Sequence, residues 1–148
     1  MNDPASPAQV RTRLGESSLT HERDGTCIVR VELALPDGRS GTGQGAAPDV
    51  PTGHLRAGAR ATLEALHALL GPRVTLEFRG AKLIRAFDTR VAIVAVGSSR
   101  GPGPRNLLGT AEVQEDDLGR SGAIAALDAV NRHLARELTG HAGDLTGG

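Results

Sequence analysis

GARATLEALHALL, residues 58–70, returns as GAIAALDAVNRHL, residues 122–134, and this repeat decides the fold. Six of the thirteen positions are identical. In both copies leucine and alanine recur at the three- and four-residue spacing of an amphipathic helix, and Leu63 and Leu127 occupy the same place in the apolar stripe. The sequence therefore predicts two helices that present the same face in the same register.

Each predicted helix follows segments in which apolar residues alternate as they do in half-buried strands. In the first unit residues 27–35 alternate, residues 36–38 are a Pro-Asp-Gly turn signal, and residues 40–46 return as a second strand. Residues 17–23 are a candidate edge strand before them. The second unit has candidate strands at residues 74–79, 91–96 and 107–114.

These elements predict an α+β domain, with an antiparallel sheet that carries two helices on one face. It would be built from tandem duplicated strand-strand-(strand)-helix units. The first helix is predicted over residues 54–70 with Thr52 as its N-cap. The second is predicted over residues 118–138, with Asp116 or Asp117 as its cap.

Length and composition predict one domain at residues 15–138, between a disordered arm at 1–14 and a flexible glycine-rich tail at 139–148. The 17 basic and 17 acidic residues balance, so no overall charge attracts nucleic acid or an anionic membrane. The chain has no Trp or Tyr and two Phe, which argues against stacking sites for bases, sugars or flavins. Lys82 is the only lysine, and this arginine, alanine and glycine richness is typical of a GC-rich bacterial genome.

The single cysteine and the hydropathy pattern limit the compartment. Cys27 has no second cysteine, which excludes a disulfide and a cysteine-based metal site within one chain. It lies in an alternating apolar stretch and is expected to be a buried thiol. No signal-peptide pattern opens the chain, and no apolar run is long enough to cross a bilayer. We therefore expect a cytoplasmic protein that does not bind membranes.

Three groups of residues carry candidate chemistry, and each has a simpler structural explanation: a flexible strand and loop, solvated or capping histidines, and acids at a helix N-terminus. Residues 41–45 resemble a glycine-rich phosphate loop, but about seven residues separate them from the helix start where such a loop would open. The five histidines lack the spacing of a helical metal site. The acidic run 115–117 suits a helix N-terminus. The sequence thus predicts no catalytic group, no cofactor and no metal ion.

Positive charge concentrates in the second half of the chain and is the one local feature that indicates an anionic partner. The residues are Arg79, Lys82, Arg85, Arg90, Arg100 and Arg105. The element order from residue 54 to residue 138 also resembles a double-stranded-RNA-binding domain. That module needs basic residues at the start of its last helix, where this chain has the acidic run 115–117. We therefore predict no nucleic-acid binding.

With the edge strand included, the order strand-strand-strand-helix occurs twice. The pattern resembles the C-terminal regulatory, leucine-sensing domain of the 2-isopropylmalate synthase family. The segments that carry the resemblance are residues 29–45, residues 58–70, and residues 91–132, which end in the run Ala129-Val130-Asn131-Arg132. The resemblance implies a duplicated, dimeric fold that senses a small molecule. It transfers no ligand residue to this chain.

The predicted function is a non-catalytic regulatory module that binds a small ligand or a protein partner and forms a homodimer. Residues 91–96 are apolar on both faces, so the open sheet face is the expected dimer interface. A structural subunit of a larger assembly and a small enzyme that uses arginines on an anionic substrate are the alternatives. The candidate ligand-binding residues are Gly41, Thr42, Gly43, Gly109, Thr110, Arg85 and Arg90.

Overall fold

The computed structural model describes residues 12–71, 75–98, 105–114 and 116–131. Nearly all of the predicted arm, the predicted tail and the end of the second predicted helix lie outside these residues, as does Arg100. Within them the element order is strand-strand-strand-helix, twice. The elements are β1 Arg13–His21, β2 Thr26–Ala34, β3 Ser40–Pro48, α1 Pro51–Leu70, β4 Leu76–Ala86, β5 Thr89–Ser98, β6 Arg105–Glu112 and α2, described over residues 118–131.

The α+β class and the antiparallel pairing are confirmed, but the described strands form two sheets instead of one. Sheet A has the order β1-β2-β3, and sheet B has the order β4-β5-β6. Every neighbouring pair is antiparallel. The chain leaves sheet A through α1, which packs on β2 and β3 and also contacts β4. The strands of the second run, β4 to β6, pair only with one another among the described residues.

One core joins both sheets and both helices. The inner face of β2 buries the predicted alternating set from Cys27 to Leu33, and Val94 and Val96 do the same on β5. The apolar stripe predicted for α1 is buried from Leu55 to Leu66. Aliphatic side chains and alanines therefore supply nearly all of the core, as the composition requires. Among the described residues no helix is long and apolar enough to cross a membrane.

The two helices begin in different ways. The Thr52 cap is wrong, because α1 begins at Pro51 and Val50 is the N-cap, without a side-chain hydrogen bond. Proline suits the first helical position since its missing N–H would have no partner there. The cap of α2 is confirmed at Asp117, whose Oδ1 accepts the backbone N–H of Arg120 at 3.0 Å.

In each half of the fold, the helix packs so closely on the last strand that the two backbones are in contact. Gly43 of β3 lies so close to the backbone of Ala61 and Ala65 in α1 that a Cβ would overlap them. Gly109 of β6 lies against α2 in the same way. Its neighbours there are Ala125 and Ala129, which occupy the corresponding places in the repeat. A side chain at either glycine would push the helix off the sheet.

Candidate functional site

The structure does not bring the predicted ligand-binding residues together. Gly41, Gly43 and Gly109 face the helices on the inner sides of their sheets, where close packing accounts for them. Thr42 is exposed on the outer face of sheet A, and Thr110 is exposed on the outer face of sheet B. The backbone N–H of Thr110 donates to Asp128 of α2 at 3.1 Å. No single cleft can therefore use the two Gly-Thr pairs.

Arg85 and Arg90 do lie side by side. They are register partners next to the hairpin that joins β4 and β5. The guanidinium of Arg90 forms an ion pair with Asp116, just before α2. The backbone carbonyl oxygen of Arg90 accepts the Val113 N–H at 2.9 Å. Arg90 thus ties sheet B to the start of α2, whereas Arg85 is exposed. Only Arg85 of this pair remains a candidate for an external anion.

Three ionisable side chains meet at a different place, in a cluster of His21, Asp49 and His54. His21 Nδ1 lies 2.6 Å from Asp49 Oδ2, and His54 Nε2 lies 2.6 Å from Asp49 Oδ1. The two imidazole rings stand edge to face, 5.9 Å apart between centroids. One carboxylate therefore holds two imidazoles, one on each oxygen.

Sheet topology brings the three residues together. β1 and β3 both run antiparallel to β2, so their carboxyl ends lie at the same edge of sheet A. His21 ends β1, Asp49 follows β3, and His54 lies in the first turn of α1. The Asp49 N–H donates to the carbonyl oxygen of Gly25 at 2.9 Å, which fixes the turn between β3 and α1 against the β1–β2 loop.

The cluster has distinct electrostatics. Hydrogen bonds from His54 and His21 hold the pKa of Asp49 below its usual value, so the carboxylate is ionised near neutrality. Burial, and next the charge of Asp49, raise the pKa of the nearby Cys27 thiol. Cys27 is fully buried, and its Sγ lies 3.8 Å from the Pro48 carbonyl oxygen. The thiol is therefore protonated near neutrality and is not a candidate nucleophile.

An open cleft of about 320 Å³ adjoins the two histidines. Its walls are the end of β1 and the start of α2, with Ser18 on one side and Asp117 and Gly119 on the other. Arg120 crosses between the walls, since its Nη1 donates to the Gly15 carbonyl oxygen at 3.0 Å and to Ser17 Oγ at 3.1 Å. The cleft thus lies where the first strand of unit one meets the helix of unit two.

Motif spacing could not find this cluster, because the three residues share no helix face and no short motif. A usable signal did exist in the element order. In a three-stranded meander the first and third strands end at the same edge, so His21 and Asp49 were candidates for contact once β1 was accepted as a strand. Because residues 17–23 are only a candidate edge strand by their sequence, the contact does not follow from the sequence alone.

A second candidate surface is the outer face of sheet B. Ile84 and Leu108 are 40% and 60% exposed, and the half-buried outer residues of β5 lie between them. These outer β5 residues are Val91, Ile93 and Ala95. On sheet A the central strand has Arg30 and Glu32 at its outer positions. Sheet B alone therefore presents an apolar outer face within the described part of the chain.

No family model matches this chain, and a search of curated proteins finds no significant match.

Proposed function

We propose that this protein is a non-catalytic regulatory module, formed by tandem duplication, that dimerises through the outer face of sheet B and binds a small molecule. The observation that carries the proposal is that the outer face of sheet B is apolar, whereas the outer face of sheet A is charged. Exposed apolar surface of this kind marks an interaction site. The resemblance to the 2-isopropylmalate synthase regulatory domain points the same way.

Contacts at corresponding positions support the duplication. His67 Nε2 accepts the backbone N–H of Leu76 at the start of β4, at 3.1 Å. Asn131, which aligns with His67, accepts the N–H of Thr12 just before β1, at 3.3 Å. Each helix therefore holds the first strand of the other unit by the same position of the repeat. Two copies of one ancestral unit would produce this arrangement.

Charge placement favours a second copy as the occupant of the outer face. Lys82 on β4 and Glu112 on β6 flank β5 at outer positions, beside Ile93 and Val91 respectively. A twofold axis parallel to β5 would place β4 of one copy over β6 of the other. Lys82 of each copy would then lie near Glu112 of its partner, at the rim of an aliphatic interface.

The dimer is tested by light scattering and sedimentation on the full chain. Wild type should have the mass of a dimer at micromolar concentration, and Leu108→Glu or Ile84→Glu should shift it to monomer. Ile124→Glu is the matched control, because Ile124 is also 41% exposed but lies on α2. Lys82→Glu should weaken the dimer, and Lys82→Glu combined with Glu112→Lys should restore it. A wild-type monomer would refute this interface.

The ligand is expected in the cleft between β1 and α2, because it is concave and contains ionisable side chains of both signs. Thermal-shift screening against amino acids and nucleotides is the direct test. Stabilisation by a ligand should disappear in Arg120→Ala, whose guanidinium bridges the cleft walls. If no compound stabilises the protein while the dimer persists, a protein partner is the version of the proposal that is left. Native mass spectrometry would then separate a subunit of a larger assembly from a free dimer.

A further inference from the structure

We propose that His21, Asp49 and His54 form a binding site for a divalent transition-metal ion of the zinc class. The sequence predicted no metal site, and the proposed dimer and small-molecule cleft do not require one. Each residue offers one ligand atom, and these atoms all lie within 4.8 Å of one another. Two imidazoles and a carboxylate are the donor set that zinc, iron(II), cobalt(II) and nickel(II) prefer, whereas magnesium and calcium prefer oxygen donors.

The geometry is close to that of a bound site. Ligand atoms around a tetrahedral ion lie about 3.3 Å apart. The two His–Asp contacts at 2.6 Å must open slightly to admit an ion, and both rings already point a nitrogen at the carboxylate. His21 is the ligand that must adjust its position, and its ring has room to rotate because its side chain is 65% exposed. Asp49 and His54 are more enclosed, at 22% and 20%, and provide the fixed half of the site.

The backbone holds that fixed half in place. Asp49 is anchored through its N–H to Gly25, and the His54 N–H donates to the Val50 carbonyl oxygen at 2.9 Å. An ion would therefore meet two ligands set by one tight turn and a third that closes from β1. Sites with such a preorganised pair bind metal without refolding the chain.

A metal here would keep an open coordination position. The described part of the chain supplies three ligands, and His21 and His54 both line the adjoining cleft. The fourth position of a tetrahedral ion would face that cleft and take water or an anionic group of a small molecule. The alternative is a metal-free hydrogen-bonded clip that joins β1 to α1, and the experiment separates the two.

The test uses the full chain without an affinity tag, stripped with EDTA. Zn²⁺ binding is measured by calorimetry, and Co²⁺ binding by its visible absorption. Wild type should bind one ion per chain. His21→Gln, Asp49→Asn and His54→Gln should each weaken binding at least about tenfold. Because His21 is largely exposed, His21→Gln should keep the circular dichroism spectrum and melting temperature of the metal-free wild type.

Histidines outside the cluster provide the controls. His67→Gln, on the same helix, and the double variant His133→Gln/His141→Gln should bind metal as wild type does. In nitrogen-detected NMR, Zn²⁺ should shift Nδ1 of His21 and Nε2 of His54. Wild type that binds neither ion, or cluster variants that bind as tightly as wild type, would overturn the proposal. Loss of melting temperature in Asp49→Asn with no metal bound to wild type would establish the clip instead.

Discussion

Gly58 of α1 and Gly122 of α2 lie where the two helices cross, and each faces the backbone of the other helix. A Cβ on Gly58 would overlap the carbonyl oxygen of Gly119, and a Cβ on Gly122 would overlap that of Leu55. Each of these carbonyls belongs to the residue three positions before the facing glycine. The contact is therefore reciprocal, and both copies of the repeat begin with glycine because the helices touch at backbone distance.

We predict that Gly58→Ala and Gly122→Ala each destabilise the protein. Alanine favours a helix over glycine by about 1 kcal/mol. The added methyl group nevertheless must force two backbones apart inside the core, so the free energy of unfolding should fall by about 1–3 kcal/mol net. Urea unfolding measures the change. Gly80→Ala is the control, since a Cβ there meets no atom within 4 Å. A Gly58→Ala variant as stable as wild type would contradict the crossing.

His67 and Asn131 should contribute unequally to stability although they occupy the same place in the repeat. Asn131 makes two bonds to Thr12, since its Oδ1 accepts the N–H and its Nδ2 donates to the carbonyl oxygen at 3.2 Å. Asn131→Ala removes the partners of the backbone N–H and carbonyl oxygen of Thr12, which is buried. The free energy of unfolding should therefore fall by about 1–3 kcal/mol. His67→Ala removes one bond to Leu76 and should cost about 1 kcal/mol.

Hydrogen exchange provides the local readout for this pair. The Thr12 amide should lose protection in Asn131→Ala, and the Leu76 amide should lose it in His67→Ala. His67→Gln keeps a hydrogen-bond acceptor on the side chain and should retain most of the Leu76 protection. Equal protection in all variants would show that these bonds do not hold the strands.

The sequence predicts the elements of this fold well because each carries a local periodicity. The alternation around Val29 and Val31, and the helical stripe through Leu63, need no knowledge of tertiary contacts. The division into two sheets could not be read this way, since alternation identifies a strand but not its neighbour. The packing role of Gly43 could not be predicted either. A glycine that allows close approach of a helix backbone and a glycine in a flexible loop look identical in a sequence.

Acid should weaken the two hairpins of sheet A through Asp24 and Asp37. Each carboxylate accepts the backbone N–H two residues later, at Thr26 and Arg39, both at 3.0 Å. The pKa of Asp24 is lowered chiefly by the hydrogen bond from the Thr26 side chain. The pKa of Asp37 is lowered chiefly by the hydrogen bond from the Arg39 backbone N–H. Because the folded pKa is lowered, the stabilisation is present above about pH 4, the unfolded pKa, and is lost as pH falls through the folded pKa.

Urea unfolding between pH 5 and pH 2.5, a range set by carboxyl titration at about pH 4, checks the acid prediction. The double variant Asp24→Ala/Asp37→Ala should be less stable than wild type at pH 5 and should lose less stability on acidification. The two curves should therefore converge at low pH. Parallel curves would mean that these carboxylates do not contribute.

Phe87 should tolerate replacement, and Phe87→Asn should stabilise the protein. Phe87 and Asp88 form the two-residue turn between β4 and β5, with φ of 51° and 62°. This left-handed conformation is strained for a bulky residue and favoured by asparagine. The Phe87 side chain is 100% exposed, so its removal loses no packing. The free energy of unfolding should rise by about 0.5–1 kcal/mol in urea. Phe87→Ala, which keeps a Cβ without asparagine's preference, should gain less. A loss of stability in Phe87→Asn would contradict the argument from strain at this turn.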